Sequence, residues 1–312
     1  RDWSSDVCSS DLMVHISPRE AFLLVLPTIL WAANAVAGRL AVGAVSPILL
    51  NTLRWTLAAL ILLPLGWRVF RQQSSLWSHL KRFALLGLLG VGCYNALLYL
   101  ALQTSTPINV TLIGASMPIW MLLIGALFYQ EHPRLKQVFG ALLSLVGVAV
   151  VLTRGDLSSV LQVRFVVGDL FMLMATILWA FYSWMLSRPG DSDERSWPWA
   201  QFLLAQVVMG IVWSIAFTGI EALQEPIHID WNFWTVMLLL YVAIGPSIIA
   251  YRCWGLGVQA LGPSVAAFFA NLIPFFTAIM SAALLGELPQ VFHGIAFICI
   301  VFGILISSQK KR

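Results

Sequence analysis

The chain has 312 residues, of which 60% are apolar and 10% charged, with a mean hydropathy of +0.86; a soluble domain is nearer half apolar and a quarter charged. Too few polar side chains exist to cover a water-facing surface. That excludes a soluble enzyme, a nucleic-acid binder and a disordered chain, and leaves an all-α polytopic membrane protein. The net charge of +4 then bears on orientation in a bilayer rather than on an acidic partner.

Residues 1–12 are polar, precede Met13 and read as a non-native leader set aside from the fold. Beyond them, ten apolar stretches approach the roughly twenty residues a membrane-spanning helix needs. They cover 20–42, 47–67, 83–102, 108–129, 135–152, 168–188, 198–219, 237–258, 262–285 and 290–308. Ala35-Val36-Ala37 resembles a cleavage site, but the first stretch is too long for a signal sequence and reads as a retained helix. The longest connections are 67–82, 189–197 and 220–236. Trp67, Trp77, Trp197, Trp199, Trp231 and Trp234 lie near predicted ends, where an interfacial belt would place them.

The basic residues sort by side. With the N-terminus inside, the inner segments hold Arg19, Arg68, Arg71, Lys81, Arg82, Arg134, Lys136, Arg188, Arg195, Lys310, Lys311 and Arg312; the outer ones hold only Arg39, Arg154 and Arg164. A positive-inside bias of that size predicts both termini in the cytoplasm of a multi-pass plasma (inner) membrane protein.

The chain also repeats. Gln103, Pro107, Pro118, Glu131 and Gly147 recur 156 residues later as Gln259, Pro263, Pro274, Glu287 and Gly303. Thr28-Ile29-Leu30-Trp31-Ala32 recurs as Thr176-Ile177-Leu178-Trp179-Ala180. The expected halves are residues 13–153 and 154–312. Each holds five spans, an odd number, so the second must enter the membrane in the opposite sense, an arrangement many secondary transporters use to alternate access.

Pro-x10-Pro-x12-Glu in both halves, Gly168-Asp169 leading into Leu178-Trp179-Ala180, Tyr251 ahead of Trp254, and Asn271-Leu272-Ile273-Pro274 resemble the drug/metabolite transporter superfamily, EamA type, across nearly all of residues 20–308. The resemblance implies ten transmembrane helices in two inverted five-helix repeats around a central cavity. It implies an exporter of amino acids or other small metabolites.

Two charged residues fall well inside predicted spans. At a rise of about 1.5 Å per residue, Arg54 lies about 5 Å and Arg252 about 7 Å from the centre of its span. Intramembrane arginines face a cavity or a partner, and no acidic residue is placed at their depth. Arg54 is the stronger candidate for attracting an anionic group; for Arg252, snorkelling is at least as good a reading. The remaining cavity candidates are Trp31, Asn34, Tyr94, Asn95, Ser116, Trp179, Tyr182, Ser247, Tyr251, Asn271 and Thr277, because polar groups in lipid prefer the bundle interior. Any one of these is more often interhelical glue, while the set as a whole is rich enough to line a cavity. Pro118 and Pro274 fall at the centres of their spans, as hinges or static kinks. Glu131 and Glu287 end the same spans, in capping or gating roles. Asp169 and Glu20 open helices, where the dipole favours acids. Gly140, Ser144 and Gly147 read as a close-packing face.

Catalysis has no foothold, because all five histidines sit in loops or at span ends and no aspartate lies mid-span. No spacing marks a metal or cofactor site, and charged rings of the channel type are lacking. The expected partners are a small-molecule substrate and the lipid bilayer, with a monomeric functional unit and no nucleic acid. A multidrug or cation exporter, an importer of another metabolite, and a non-transporting scaffold or sensor remain as alternatives.

Overall fold

The computed structural model describes residues 16–71, 74, 76–105, 107–153, 156, 166–188, 197–285 and 291–308. Among these the secondary structure is helical, apart from one isolated bridge between Val45 and Ile229. Seven helical segments are long and apolar enough to cross a membrane, and three shorter ones, Met117–Phe128, Leu135–Gly147 and Phe297–Ser307, are apolar too. Lipid offers no partner for backbone N–H and C=O groups, so a chain of this composition satisfies them within helices. The leader reading of residues 1–12 and the Glu287 assignment lie outside the described residues.

Helix α1 (Pro18–Leu40) starts at a capping box in which Ser17 and Glu20 bond each other's backbone N–H groups. Helix α2 (Pro47–Gly66) starts with proline, where the missing N–H costs nothing. The third span is not a uniform helix. It runs as α3 (Leu80–Leu86), a π-helical stretch Gly87–Cys93 and α4 (Tyr94–Thr104). Helices α5 (Pro107–Gly114) and α6 (Met117–Phe128) follow, and then α7 (Leu135–Leu152).

The second half continues with α8 (Val167–Ser187) and α9 (Trp199–Gln224). A second broken span follows as α10 (Phe233–Val242), π-helical Ala243–Ile249 and α11 (Ala250–Leu261). The chain closes with α12 (Pro263–Ala270), α13 (Leu272–Leu285) and α14 (Val291–Ser308). The two π stretches start 156 residues apart, as do α5 and α12, and α7 and α14. The periodicity seen in the residues thus recurs in the irregularities of the backbone.

Pro118 and Pro274 are not mid-helix, contrary to the sequence expectation. The span expected at 108–129 breaks at Ala115 and Ser116, which puts Pro118 in the first turn of α6. The span expected at 262–285 breaks at Asn271, with Pro274 in the first turn of α13. A proline in a helix interior would strand a carbonyl four residues earlier; at the start of a new helix it removes only an orphan donor. Side chains stabilise both breaks. The Ser116 hydroxyl donates to Ile113 O at 2.6 Å and accepts the Trp120 indole N–H at 3.0 Å. The Asn271 amide donates to Ser144 Oγ on α7 at 2.6 Å.

Helices α7 and α14 cross at glycines. A Cβ added at Gly140 would stand 2.6 Å from Gly303 O, and one added at Gly303 would stand 2.7 Å from Gly140 O. The small-residue face expected on the fifth span is therefore a backbone-to-backbone contact.

Candidate functional site

Pro246 carries no N–H, so Val242 O, four residues earlier, loses its helical donor and the turn widens. The Ser247 hydroxyl takes that carbonyl at 2.6 Å and at the same time accepts Arg54 Nε at 2.8 Å. In the equivalent widened turn of the first half, Asn51 donates to Val91 O and Gly92 O at 3.1 and 3.3 Å. Tyr251 donates its hydroxyl to Gly90 O, and the Trp31 indole donates to Pro246 O at 3.1 Å. Gly90 and Pro246 are 156 residues apart, so each half lends an equivalent carbonyl to an aromatic donor from elsewhere in the bundle.

Arg54 is fully buried. Besides Ser247, it donates from Nη1 to Asn95 Oδ1 at 2.8 Å, Tyr99 OH at 2.7 Å and Asn34 Oδ1 at 3.3 Å. Tyr99 donates onward to Asn34 at 3.0 Å, and Asn95 to Tyr251 at 3.3 Å. The Trp55 ring lies 5.1 Å from the guanidinium carbon. No carboxylate joins this network among the described residues. An arginine at the centre of a membrane helix costs about 2.5–3.5 kcal/mol on insertion scales, while hydrogen bonds to charged groups are worth about 1.5–3 kcal/mol each. Four neutral acceptors are enough to hold it. Arg54 Nη2 has no partner among the described residues.

Next to this network the aromatic rings close up. The repeated pentapeptides bring Trp31 and Trp179 edge to face, with centroids 5.3 Å apart. Tyr94 lies 4.6 Å and Tyr182 4.9 Å from Trp179. Tyr251 touches Trp55, Trp179 and Tyr182. Such contacts contribute about 0.5–1.5 kcal/mol beyond area burial, so the layer is a packed barrier.

On one side of that barrier lies a cavity of about 460 Å³. Its floor is Tyr182 and Tyr251, and its walls come from α8, α9 and α11, including Trp199, Phe202, Gln206 and Gln259. It opens where α8 and α11 finish and α9 begins. Arg252 lines it with an exposed side chain, its guanidinium carbon 4.1 Å from the centroid of the Trp199 ring. Every wall residue lies between 182 and 259. All of them, the floor included, belong to the second half, whereas a smaller pocket beside Trp31, Asn34 and Tyr94 is lined from both halves, by Met117 of the first and by Met172, Ala270 and Ile273 of the second.

The opposite end of the bundle is stitched shut. Ser46 N donates to His228 O at 3.1 Å and Asp230 N to Ala44 O at 2.8 Å, beside the Val45–Ile229 bridge. Glu221 on α9 accepts Ile48 N and Leu49 N of α2 at 3.0 Å each, a carboxylate placed where a helix N-terminus favours one.

Of the residues singled out from sequence, Trp31, Asn34, Arg54, Tyr94, Asn95, Trp179, Tyr182, Ser247 and Tyr251 come together in the network and the barrier. Ser116 and Asn271 do not; they tie down helix breaks. Thr277 is buried on α13, away from the cavity. The two arginines exchange roles: Arg54 is consumed by internal bonds, whereas Arg252 faces the open space. Asp169, expected only as a helix opener, is also buried, where it accepts Ser105 Oγ at 2.6 Å and Val166 N at 2.8 Å. Glu131 lies past the end of α6 and pairs with Arg188 at 2.8 Å, both half-exposed. Tyr99, Trp55 and Gln206 escaped the sequence reading, and Trp199, read there as one of an interfacial belt, lines the cavity. Arg252 and Trp199 lie on different predicted spans, and nothing in the residue order pairs them.

Long apolar helices, broken spans and a one-sided cavity are the architecture of a polytopic membrane protein. The model of the EamA-like transporter family matches residues 18–153 and again residues 166–309. The chain belongs to that family. It is 26% identical to the uncharacterized transporter YyaM of Bacillus subtilis (strain 168), over 87% of each chain. It is 24% identical to the aromatic amino acid exporter YddG of Ancylobacter novellus, covering 91% of this chain and 95% of that one. A solved crystal structure of a protein 22% identical superposes with a TM-score of 0.68, over 93% of this chain and 96% of its own.

Proposed function

We propose that this protein is a secondary transporter that exports amino acids or related small metabolites by alternating access. It would act as a monomer of ten transmembrane helices in two inverted five-helix repeats, with both termini in the cytoplasm and the whole in the plasma membrane. One observation carries the reading. The cavity of about 460 Å³ is open at one end of the bundle, while the aromatic layer, the Arg54 network and the stitched loops close the other. With the orientation taken from the basic residues, the open end is cytoplasmic, the loading side of an exporter. The 156-residue spacing of the π stretches and half-helices supports the repeat, since two equivalent weak points let one half rock against the other. Gly87, Gly90 and Gly92 in one widened turn and Pro246 in the other are where that movement would bend the backbone.

Counterflow tests the reading. Purified protein in liposomes loaded with pooled unlabelled amino acids should accumulate single labelled amino acids from outside, and protein-free liposomes should not. Absence of accumulation across all twenty would overturn the amino-acid assignment. Absence across organic acids, sugars and nucleosides as well would overturn transport.

A further inference from the structure

We propose that the cavity takes a planar organic monoanion, a carboxylate held by Arg252 with its apolar ring among the cavity's aromatic side chains, in preference to a cation or a zwitterion. The inference rests on reading this cavity as the transport site and narrows its substrate from amino acids, which are zwitterions at neutral pH, to the anionic small metabolites.

Arg252 lies about 13 Å from the end of α11 at 1.5 Å per residue, well inside a candidate membrane span. Its environment differs from that of Arg54 in all but the neighbouring tryptophan ring. The side chain is exposed, lines the cavity, rests over the Trp199 ring, and has no hydrogen bond or ion pair with any described residue. A guanidinium stacked on an aromatic ring keeps its in-plane N–H fork available, and that fork matches a carboxylate in a bidentate fashion.

The other polar groups around the cavity decide the sign of the ligand. The Gln206 amide is already committed, accepting the Tyr182 hydroxyl at 3.0 Å and donating to Phe202 O at 3.2 Å. Gln259 is a neutral donor and acceptor at the mouth. No aspartate or glutamate lines the cavity among the described residues. Among the described residues an ammonium group would therefore meet a guanidinium of its own sign and no carboxylate. The ammonium of a zwitterion would have no charged partner among them to replace its hydration, and burying such a group unpaired is costly. Trp197, Trp199 and Phe202 supply apolar ring surface to the cavity lining, and the volume lies within the roughly 300–1,000 Å³ usual for small-molecule sites.

The test varies only charge on one ring system. Indole-3-acetate, indole-3-acetamide, tryptamine and tryptophan are titrated by calorimetry at pH 7 into the full-length protein in neutral detergent. The acid should bind at least tenfold more tightly than the amide, with tryptophan weaker than the acid and tryptamine weakest. Arg252→Gln should reduce the acid to the affinity of the amide while leaving the amide unchanged. Arg252→Lys, which keeps the charge but loses the fork, should weaken the acid several-fold, and it decides the matter if the glutamine variant does not fold. Equal or tighter binding of tryptophan or tryptamine would overturn the proposal. So would an acid preference that survives Arg252→Gln, or no binding by any of the four. The two readings fail separately. Arg252-dependent binding of the acid without counterflow would sink transport and keep this site; counterflow of amino acids without acid preference would do the reverse.

Discussion

Two arginines lie inside the apolar spans and have opposite fates. Arg54 has no solvent exposure and spends its donors on Ser247, Asn95, Tyr99 and Asn34. Arg252 lies over an indole ring, makes no hydrogen bond or ion pair with a described residue, and lines the cavity. One is part of the wall and the other part of the room. A guanidinium in a membrane span must be matched by acceptors or by water, and which of these it finds depends on neighbours far away in the chain. Arg54 finds acceptors because the Pro246 turn delivers a serine hydroxyl to it and α4 delivers Asn95 and Tyr99. Arg252 instead lines the cavity walled by α8, α9 and α11.

Substitutions should separate the two in proportion. Arg54→Gln should be the most damaging, lowering stability by about 3 kcal/mol or more, because each buried acceptor left unpaired costs about 1–3 kcal/mol. The readout is the apparent melting temperature in detergent; an unchanged value would mean that the network contributes nothing to the closed end. Tyr99→Phe removes a single hydroxyl from the same network and should cost about 1–3 kcal/mol. A double-mutant cycle with Asn34→Ala should give less than the sum of the separate losses, since the two side chains bond each other at 3.0 Å. A third arginine calibrates the scale. Arg188 pairs with Glu131 at 2.8 Å, but both are half-exposed, so Glu131→Gln should cost at most about 1 kcal/mol, with the effect shrinking further in high salt. Arg252→Gln should be the mildest of all for folding, within about 0.5 kcal/mol, while removing the preference for an anionic ligand. If Arg252→Gln proves as destabilising as Arg54→Gln, the contrast between wall and room collapses.

The prolines teach the same lesson about local signals. Pro118 and Pro274 stand out in the residues as symmetric and central, yet they start half-helices, because the chain resolves a missing N–H by ending one helix and beginning another. Pro246 drew no attention, yet it is the proline whose stranded carbonyl recruits Ser247 and through it Arg54. The signal was available: a proline followed by serine inside an apolar span offers its own replacement donor. The aromatic barrier was legible one ring at a time. Trp31 and Trp179 were marked by the repeated pentapeptide, but Trp55, central in its span, lies in no repeat that would single it out.

Composition, hydrophobic length and the 156-residue recurrence determined that this is an all-helical membrane protein with two related halves. These properties follow from the energetics of lipid, which acts on each segment separately and leaves its record in every stretch of the sequence. Tertiary structure alone decided which arginine is sealed and which is free, where the cavity lies, and which end of the bundle is closed. Those outcomes depend on side chains brought together from spans far apart in the chain, such as Ser247 with Arg54, Trp199 with Arg252 and Glu221 with the start of α2. A sum over single segments holds no information about such pairs.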